Sequence, residues 1–149
     1  SDLISLYSTR ILALAADVPH LGRLSDAQGS ARRRSPLCGS TVTVDVRMEG
    51  GCVAAFAQDV KACALGQAAA ALSGRAMMGR SLAEITTARD ALRAMLKEGA
   101  PPPSAPFEGF EVLIPARDFK NRHASILLSL EATAEAVAAA EAAMQAAQA

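Results

Sequence analysis

The chain has 149 residues, 51% of them hydrophobic, which is enough to bury a core and too many for a disordered segment. Basic and acidic residues number 15 each, so the formal net charge is zero and the basic field of a nucleic-acid binder is missing. No stretch reaches the apolar length of a membrane span, the first residues lack the charged-then-apolar design of an export signal, and three cysteines fit poorly with a disulfide framework. The expectation is one domain over 1–149 in the reducing cytoplasm, where thiols are free to act as ligands.

Aromatics are only 3%, and much of the apolar content is alanine, which predicts closely packed helices. Residues 3–16 read as an amphipathic helix, with Leu3, Tyr7, Ile11 and Leu14 at helical spacing. Pro19 ends it, and His20-Leu21-Gly22-Arg23 reads as a turn. Residues 29–35 are extended; Arg32-Arg33-Arg34 within them suits a solvated strand, with docking of a partner as the alternative. Thr41 to Arg47 alternates and is β-branched, the best strand in the chain. Glu49-Gly50-Gly51 signals a hairpin, and Cys52 to Val60 supplies the return strand, with Val53, Ala55 and Ala57 on one face and Phe56 on the other.

From Cys63 the pattern is helical to about Met78, where Gly79 closes it; Met77 and Met78 read as core fillers. Ser81-Leu82-Ala83-Glu84 is a capping box for a short helix, and Thr87-Ala88-Arg89-Asp90 opens a second that runs through Lys97. Gly99 and Pro101-Pro102-Pro103 stop it. Residues 100–114 read as a proline-rich loop, and Ala116 to about Gln145 as mostly helix, with a buried stripe of Ile126, Leu127, Leu130, Ala134 and Val137. The fold class is α+β: a small antiparallel sheet of two to three strands packed against about five helices.

Three places carry chemistry. Cys38 precedes Gly39 in a turn before the best strand, where glycine lets backbone amides approach a sulfur ligand. Cys63 follows a strand and opens a helix, where unpaired amides, the helix dipole and nearby Lys61 favour thiolate. His123 stands near the start of the last long helix. Cys38 and Cys63 flank the hairpin, and an antiparallel hairpin brings its ends together, so the two sulfurs are expected near one another. Periodicity does not say whether His123 joins them. Two thiolates and an imidazole make a soft metal site, yet zinc and a 2Fe–2S cluster each take four ligands. The fourth would come from water, Ser40, a partner's thiol or a second copy of the chain. The plain alternative is two cysteines buried as small hydrophobes. Cys52 reads as packing and His20 as a turn residue.

The segments Ser35-Pro36-Leu37-Cys38-Gly39-Ser40, Lys61-Ala62-Cys63-Ala64-Leu65-Gly66 and Lys120-Asn121-Arg122-His123-Ala124-Ser125 resemble the three ligand-bearing stretches of NifU-like and IscU/SufU-type iron–sulfur cluster scaffolds. The likeness extends to Leu6-Tyr7, to His20-Leu21-Gly22-Arg23-Leu24 and to Gly79-Arg80-Ser81-Leu82-Ala83-Glu84-Ile85, and the long stretch between Cys63 and His123 is closer to the SufU arrangement. This resemblance implies a scaffold that takes sulfur from a cysteine desulfurase, collects iron and passes a cluster to recipient proteins. It implies Cys38 and Cys63 as ligands of iron, a transient 2Fe–2S cluster or zinc, with His123 as an occasional third. Where such scaffolds carry a third cysteine this chain has Ala124, and where they carry an aspartate after Cys-Gly it has Ser40. Three functions follow. The first is a scaffold or carrier with an incomplete site, which is not an enzyme. The second is a pseudo-scaffold that keeps the docking surface and loses the chemistry. The third is a zinc-dependent sulfurtransferase.

Overall fold

The computed structural model describes residues 6–148. Three strands, β1 (Gly29–Arg34), β2 (Thr41–Glu49) and β3 (Cys52–Lys61), form one antiparallel sheet in the order β1-β2-β3. Gly50 and Gly51 take φ of +59° and +78°, the left-handed pair that a two-residue hairpin turn needs. Val42, Val44, Val46 and Met48 alternate along β2 into the core.

On β3 the alternation slips. Val53 pairs with Met48 and Ala55 with Arg47, so Ala54 is an extra residue in the ladder, a β-bulge. The bulge turns Val53 onto the same buried face as Phe56, against the expectation that they lie on opposite faces. The far edge of β3 is covered by residues 20–22: Gln58 N–H donates to the His20 carbonyl and Gly22 N–H to the Gln58 carbonyl, both at 2.9 Å. Gln58 itself is buried, its Nε2 donating to the carbonyls of Pro19 (3.0 Å) and Ala70 (3.1 Å).

Four α-helices lie among the described residues: α1 (Thr9–Ala15), α2 (Ala64–Arg75), α3 (Leu82–Glu98) and α4 (His123–Gln148). With the 3₁₀ stretch described below they make the α+β fold read from the sequence. The expected 3–16 helix is interrupted among the described residues: Tyr7 and Ser8 are not helical, and Ser8 caps a new start at Thr9 by accepting from Ile11 N–H at 3.3 Å. Leu3 lies outside the described residues. The Ser81/Glu84 capping box is present, but no second helix opens at Thr87. Residues 82–98 run on as one helix, since nothing at Thr87-Ala88-Arg89-Asp90 breaks the intrahelical ladder. Helix α2 stops at Arg75, three residues short of the expected end. Met77 is buried as expected, whereas Met78 is 43% exposed.

The expected loop is only partly loop. Glu108–Asp118 and Lys120–Arg122 are 3₁₀ turns, and the last α-helix starts at His123 rather than Ala116. Pro115 has no N–H for an α-helical bond, and Phe119 is non-helical at φ −112°, ψ 72°. Helix α4 then lies across β1 and β2 and packs against α2 and α3, so it is buried on several sides through Ile126, Leu127, Leu128, Leu130 and Val137. Gly29 makes that contact close: a Cβ there would lie 2.1 Å from the Ala136 carbonyl oxygen.

Candidate functional site

Between β1 and β2 the chain reverses over Ser35–Ser40. Ser35 N–H donates to the Ser40 carbonyl (2.8 Å) and Gly39 N–H to the Ser35 carbonyl (2.9 Å). Gly39 sits at φ +72°, a conformation a Cβ would strain. Ser35 and Ser40 are buried and Cys38 is exposed. Its sulfur folds back onto hydroxyls: Ser125 Oγ lies 2.6 Å away, Ser40 Oγ 3.0 Å and Ser35 Oγ 3.4 Å. Desolvation of the sulfur raises the thiol's pKa. The hydrogen bonds from Ser125, Ser35 and Ser40 more than reverse that and bring it down to about 6, so the thiolate is the main form at neutral pH.

Cys63 is the N-cap of α2, with an extended backbone (φ −65°, ψ 170°) and no side-chain capping bond, so its sulfur is not spent on the helix. Its N–H donates to Ser40 Oγ at 3.4 Å. One turn on, a Cβ at Gly66 would lie 2.8 Å from Ala62 Cβ and 3.4 Å from the Ser125 carbonyl oxygen. The motif glycine therefore lets the first turn of α2 lie against the first turn of α4. Ser125 Oγ also donates to Ser40 Oγ at 3.4 Å. The three motif segments, far apart in sequence, meet at Ser40 and Ser125.

His123 is the first residue of α4 and is buried. Its Nε2 lies 2.9 Å from the Ala116 carbonyl oxygen, and since a carbonyl only accepts, Nε2 carries the proton and donates. Nδ1 is then a bare acceptor, buried and with no hydrogen-bond partner among the described residues. A backbone carbonyl fixing one ring nitrogen while the other is left free is the arrangement seen behind metal-binding histidines.

Cys38 and Cys63 thus share Ser40 as a neighbour at one end of the hairpin, and His123 stands two residues before the Ser125 that touches Cys38. Among the described residues, however, no three His, Cys, Asp or Glu side chains form a group that would hold a metal ion. What closes around Cys38 Sγ is hydroxyl oxygen, which binds soft metals poorly unless ionised. Ser125 is the site residue that sequence reasoning passed over; its signal was its place in the His123-Ala124-Ser125 segment. Cys52 pairs with Glu49 at the opposite end of the hairpin. His20 is a turn residue at φ +60°, its ring edge-on to Phe56 at 5.8 Å.

A second polar cluster lies on the solvent side of the sheet. Asp45 is buried, and its carboxylate accepts from Arg23 Nε (2.6 Å) and Nη2 (3.1 Å), Leu24 N–H (3.0 Å) and Ser30 Oγ (2.5 Å). The Arg23 hydrogen bonds outweigh burial and hold the Asp45 carboxyl at about 2. The His20–Arg23 turn therefore both covers the edge of β3 and fastens a cation to the sheet.

The chain thus sets an antiparallel three-stranded sheet under one long C-terminal helix and brings two cysteines and a histidine together on three converging segments. The chain is similar to the N-terminal NifU-like protein of Brucella abortus, a crystal structure with 42% identity that covers 93% of this chain and 96% of that one at a TM-score of 0.90. It therefore belongs to the NifU-like family. The same fold recurs at 17% identity and a TM-score of 0.78 in a Fervidobacterium islandicum AW-1 protein described as an iron–sulfur cluster assembly scaffold for the SUF system, over 89% of this chain and 96% of that one. No family profile matches the chain, and no curated protein does. No helix among the described residues is long and apolar enough to cross a membrane.

Proposed function

We propose that the chain is an iron–sulfur cluster assembly scaffold or carrier, and that iron or a 2Fe–2S cluster is its cargo rather than a resident cofactor. The observation that carries this reading is the meeting of the three motif segments at Ser40 and Ser125, where three serine hydroxyls lie against the Cys38 sulfur and favour its thiolate. Cys38 and Cys63 would supply sulfur and His123 its bare Nδ1. Three soft donors leave one position open, which suits a cargo that a recipient protein takes with its own thiolate. Because the three side chains are not drawn around one point, loading would require the exposed Cys38 turn to move off its serines. A cysteine desulfurase is the natural source of sulfur in this reading.

Anaerobic reconstitution with iron and sulfide, followed by visible absorption and iron counting, tests it. The wild type should gain a chromophore that Cys38→Ala and Cys63→Ala lose; an unchanged chromophore in either variant would overturn the assignment.

One observation favours a second reading. The position of the family's third cysteine is Ala124, and no three-ligand group is assembled among the described residues. A chain that keeps the family's surface without its chemistry would act as an interaction partner. Binding to a cysteine desulfurase that survives the double Cys38→Ala, Cys63→Ala substitution, in a protein that takes up no iron, would select it. A zinc-dependent sulfurtransferase ranks below both, for want of a fourth ligand.

A further inference from the structure

We propose that the solvent face of the sheet is a docking groove for an acidic, extended segment of a partner protein. This face holds a cavity of about 440 Å³ lined by Arg23, Ser30, Arg32, Thr43, Asp59 and Lys61, among others. Pairing register sets its chemistry. Arg32, Thr43 and Asp59 lie in one cross-strand row, and Arg34, Thr41 and Lys61 in the next. Arg33, between them in sequence, belongs to the other face, where it meets Glu131 (3.8 Å) and Glu135 (3.6 Å) of α4. The run of three arginines is thus divided: one tethers the helix and two face solvent.

The cations of this face are set up rather than satisfied. Arg23 is clamped by Asp45 yet its side chain is still 58% exposed, so it is positioned with N–H groups to spare. Among the described residues neither Arg32 nor Lys61 has an ion-pair partner. The Thr43 hydroxyl lines the same cavity and can donate to an oxyanion, whereas those of Ser30 and Thr41 already donate to Asp45 and to the Gly39 carbonyl.

The pattern selects among anions. Asp59 stands within the cation rows, and Asp45 lies beneath Arg23, so a dense charge such as a polyphosphate backbone would meet carboxylates as well as cations. Separate carboxylates on an extended chain avoid this. Adjacent rows on one strand are roughly 7 Å apart, the spacing at which alternate side chains of an extended segment project. Arginine also takes carboxylates bidentately. The Thr41–Lys61 row is at the hairpin end that carries Cys38 and Cys63, so a segment seated here would bring its protein beside the thiols. The inference rests on charge and register and stands apart from the cluster reading.

The test is a titration of the ¹⁵N-labelled chain, followed by amide shifts, with a synthetic peptide bearing glutamate at alternate positions. Its glutamine counterpart, inorganic phosphate and a single-stranded oligonucleotide serve as competing probes. The glutamate peptide should shift amides in residues 30–34, 41–43 and 59–61, and raised salt should weaken it. The Arg32→Glu/Lys61→Glu variant, whose dispersed spectrum reports that it is folded, should bind at least about tenfold more weakly. The milder Arg32→Gln variant should lose affinity and still reconstitute as the wild type does. Equal shifts with the glutamine peptide, no shifts on this face, or stronger binding of phosphate or oligonucleotide would overturn the proposal. Peptide binding by a chain that takes up no iron would leave the groove standing and remove the scaffold reading.

Discussion

Cys38 is activated by hydroxyls, and among the described residues its sulfur's hydrogen-bond partners are all serines. Ser125, Ser40 and Ser35 surround the sulfur, and their hydrogen bonds favour the charged form enough to set its pKa at about 6. Since the folded value lies below the ordinary 9.0, the thiolate's contribution to stability is complete above about pH 9. It falls as pH drops toward 6 and is absent below that. Alkylation of Cys38 by iodoacetamide should follow the same titration, with a midpoint near 6. Replacing Ser125 by alanine, which removes the 2.6 Å contact, should move that midpoint upward; a midpoint unchanged by Ser125→Ala would show that the hydroxyls do not set it. At this scale the sequence was partly legible. Cys38 and Cys63 were marked by the residues around them, because a glycine turn and a helix start are local. Ser125 was not, because a serine gains a role only from what folding places 2.6 Å away, 87 residues distant in sequence.

Among the elements, the strands were legible and the helix boundaries less so. Alternating valines specify β2, and Gly50-Gly51 specifies the turn, both through short-range sterics. The bulge at Ala54 left no comparable mark, since alanine fits either face, and so the side on which Val53 packs was misread. Thr87 to Asp90 has the composition of a helix start, yet it lies within α3, where continuing the ladder costs nothing and stopping would leave amides unpaired. The chain's largest correction, the 3₁₀ stretch before α4, follows from Pro115 and gives His123 its partner, because it presents the Ala116 carbonyl to the ring. The contact that holds sheet to helix is Gly29 on α4. Gly29→Ala would drive a methyl into the Ala136 and Ala140 backbone. Chemical denaturation should show a loss of about 3 kcal/mol from overpacking. A loss below about 0.5 kcal/mol, the size of an ordinary surface substitution, would mean that β1 and α4 are not in this contact.

For the molecule as a whole, zero net charge conceals an uneven distribution. Acidic Glu131 and Glu135 sit with Arg33 on the helical side, while Arg23, Arg32, Arg34 and Lys61 share the sheet's outer face. Composition averages over faces, so the count excluded a nucleic-acid binder, while Arg32-Arg33-Arg34, read as a solvated strand or a docking segment, is divided between faces only by register. The family was legible because its motifs are contiguous, and a relative at 42% identity supports it over 93% of the chain. The assembly of the site was not legible, because Ala124 and Ser40 change what surrounds the sulfurs without changing the fold. In the proposed function Cys38 and Cys63 handle one cargo together and Cys52 does not. Mass-spectrometric footprinting of the three cysteines, before and after anaerobic loading with iron and sulfide, measures this directly and carries its own control. Loading should shield Cys38 and Cys63 in parallel while Cys52 stays as reactive as before. Equal labelling of Cys38 and Cys63 in loaded and unloaded protein, or shielding of Cys52 to the same extent, would contradict it.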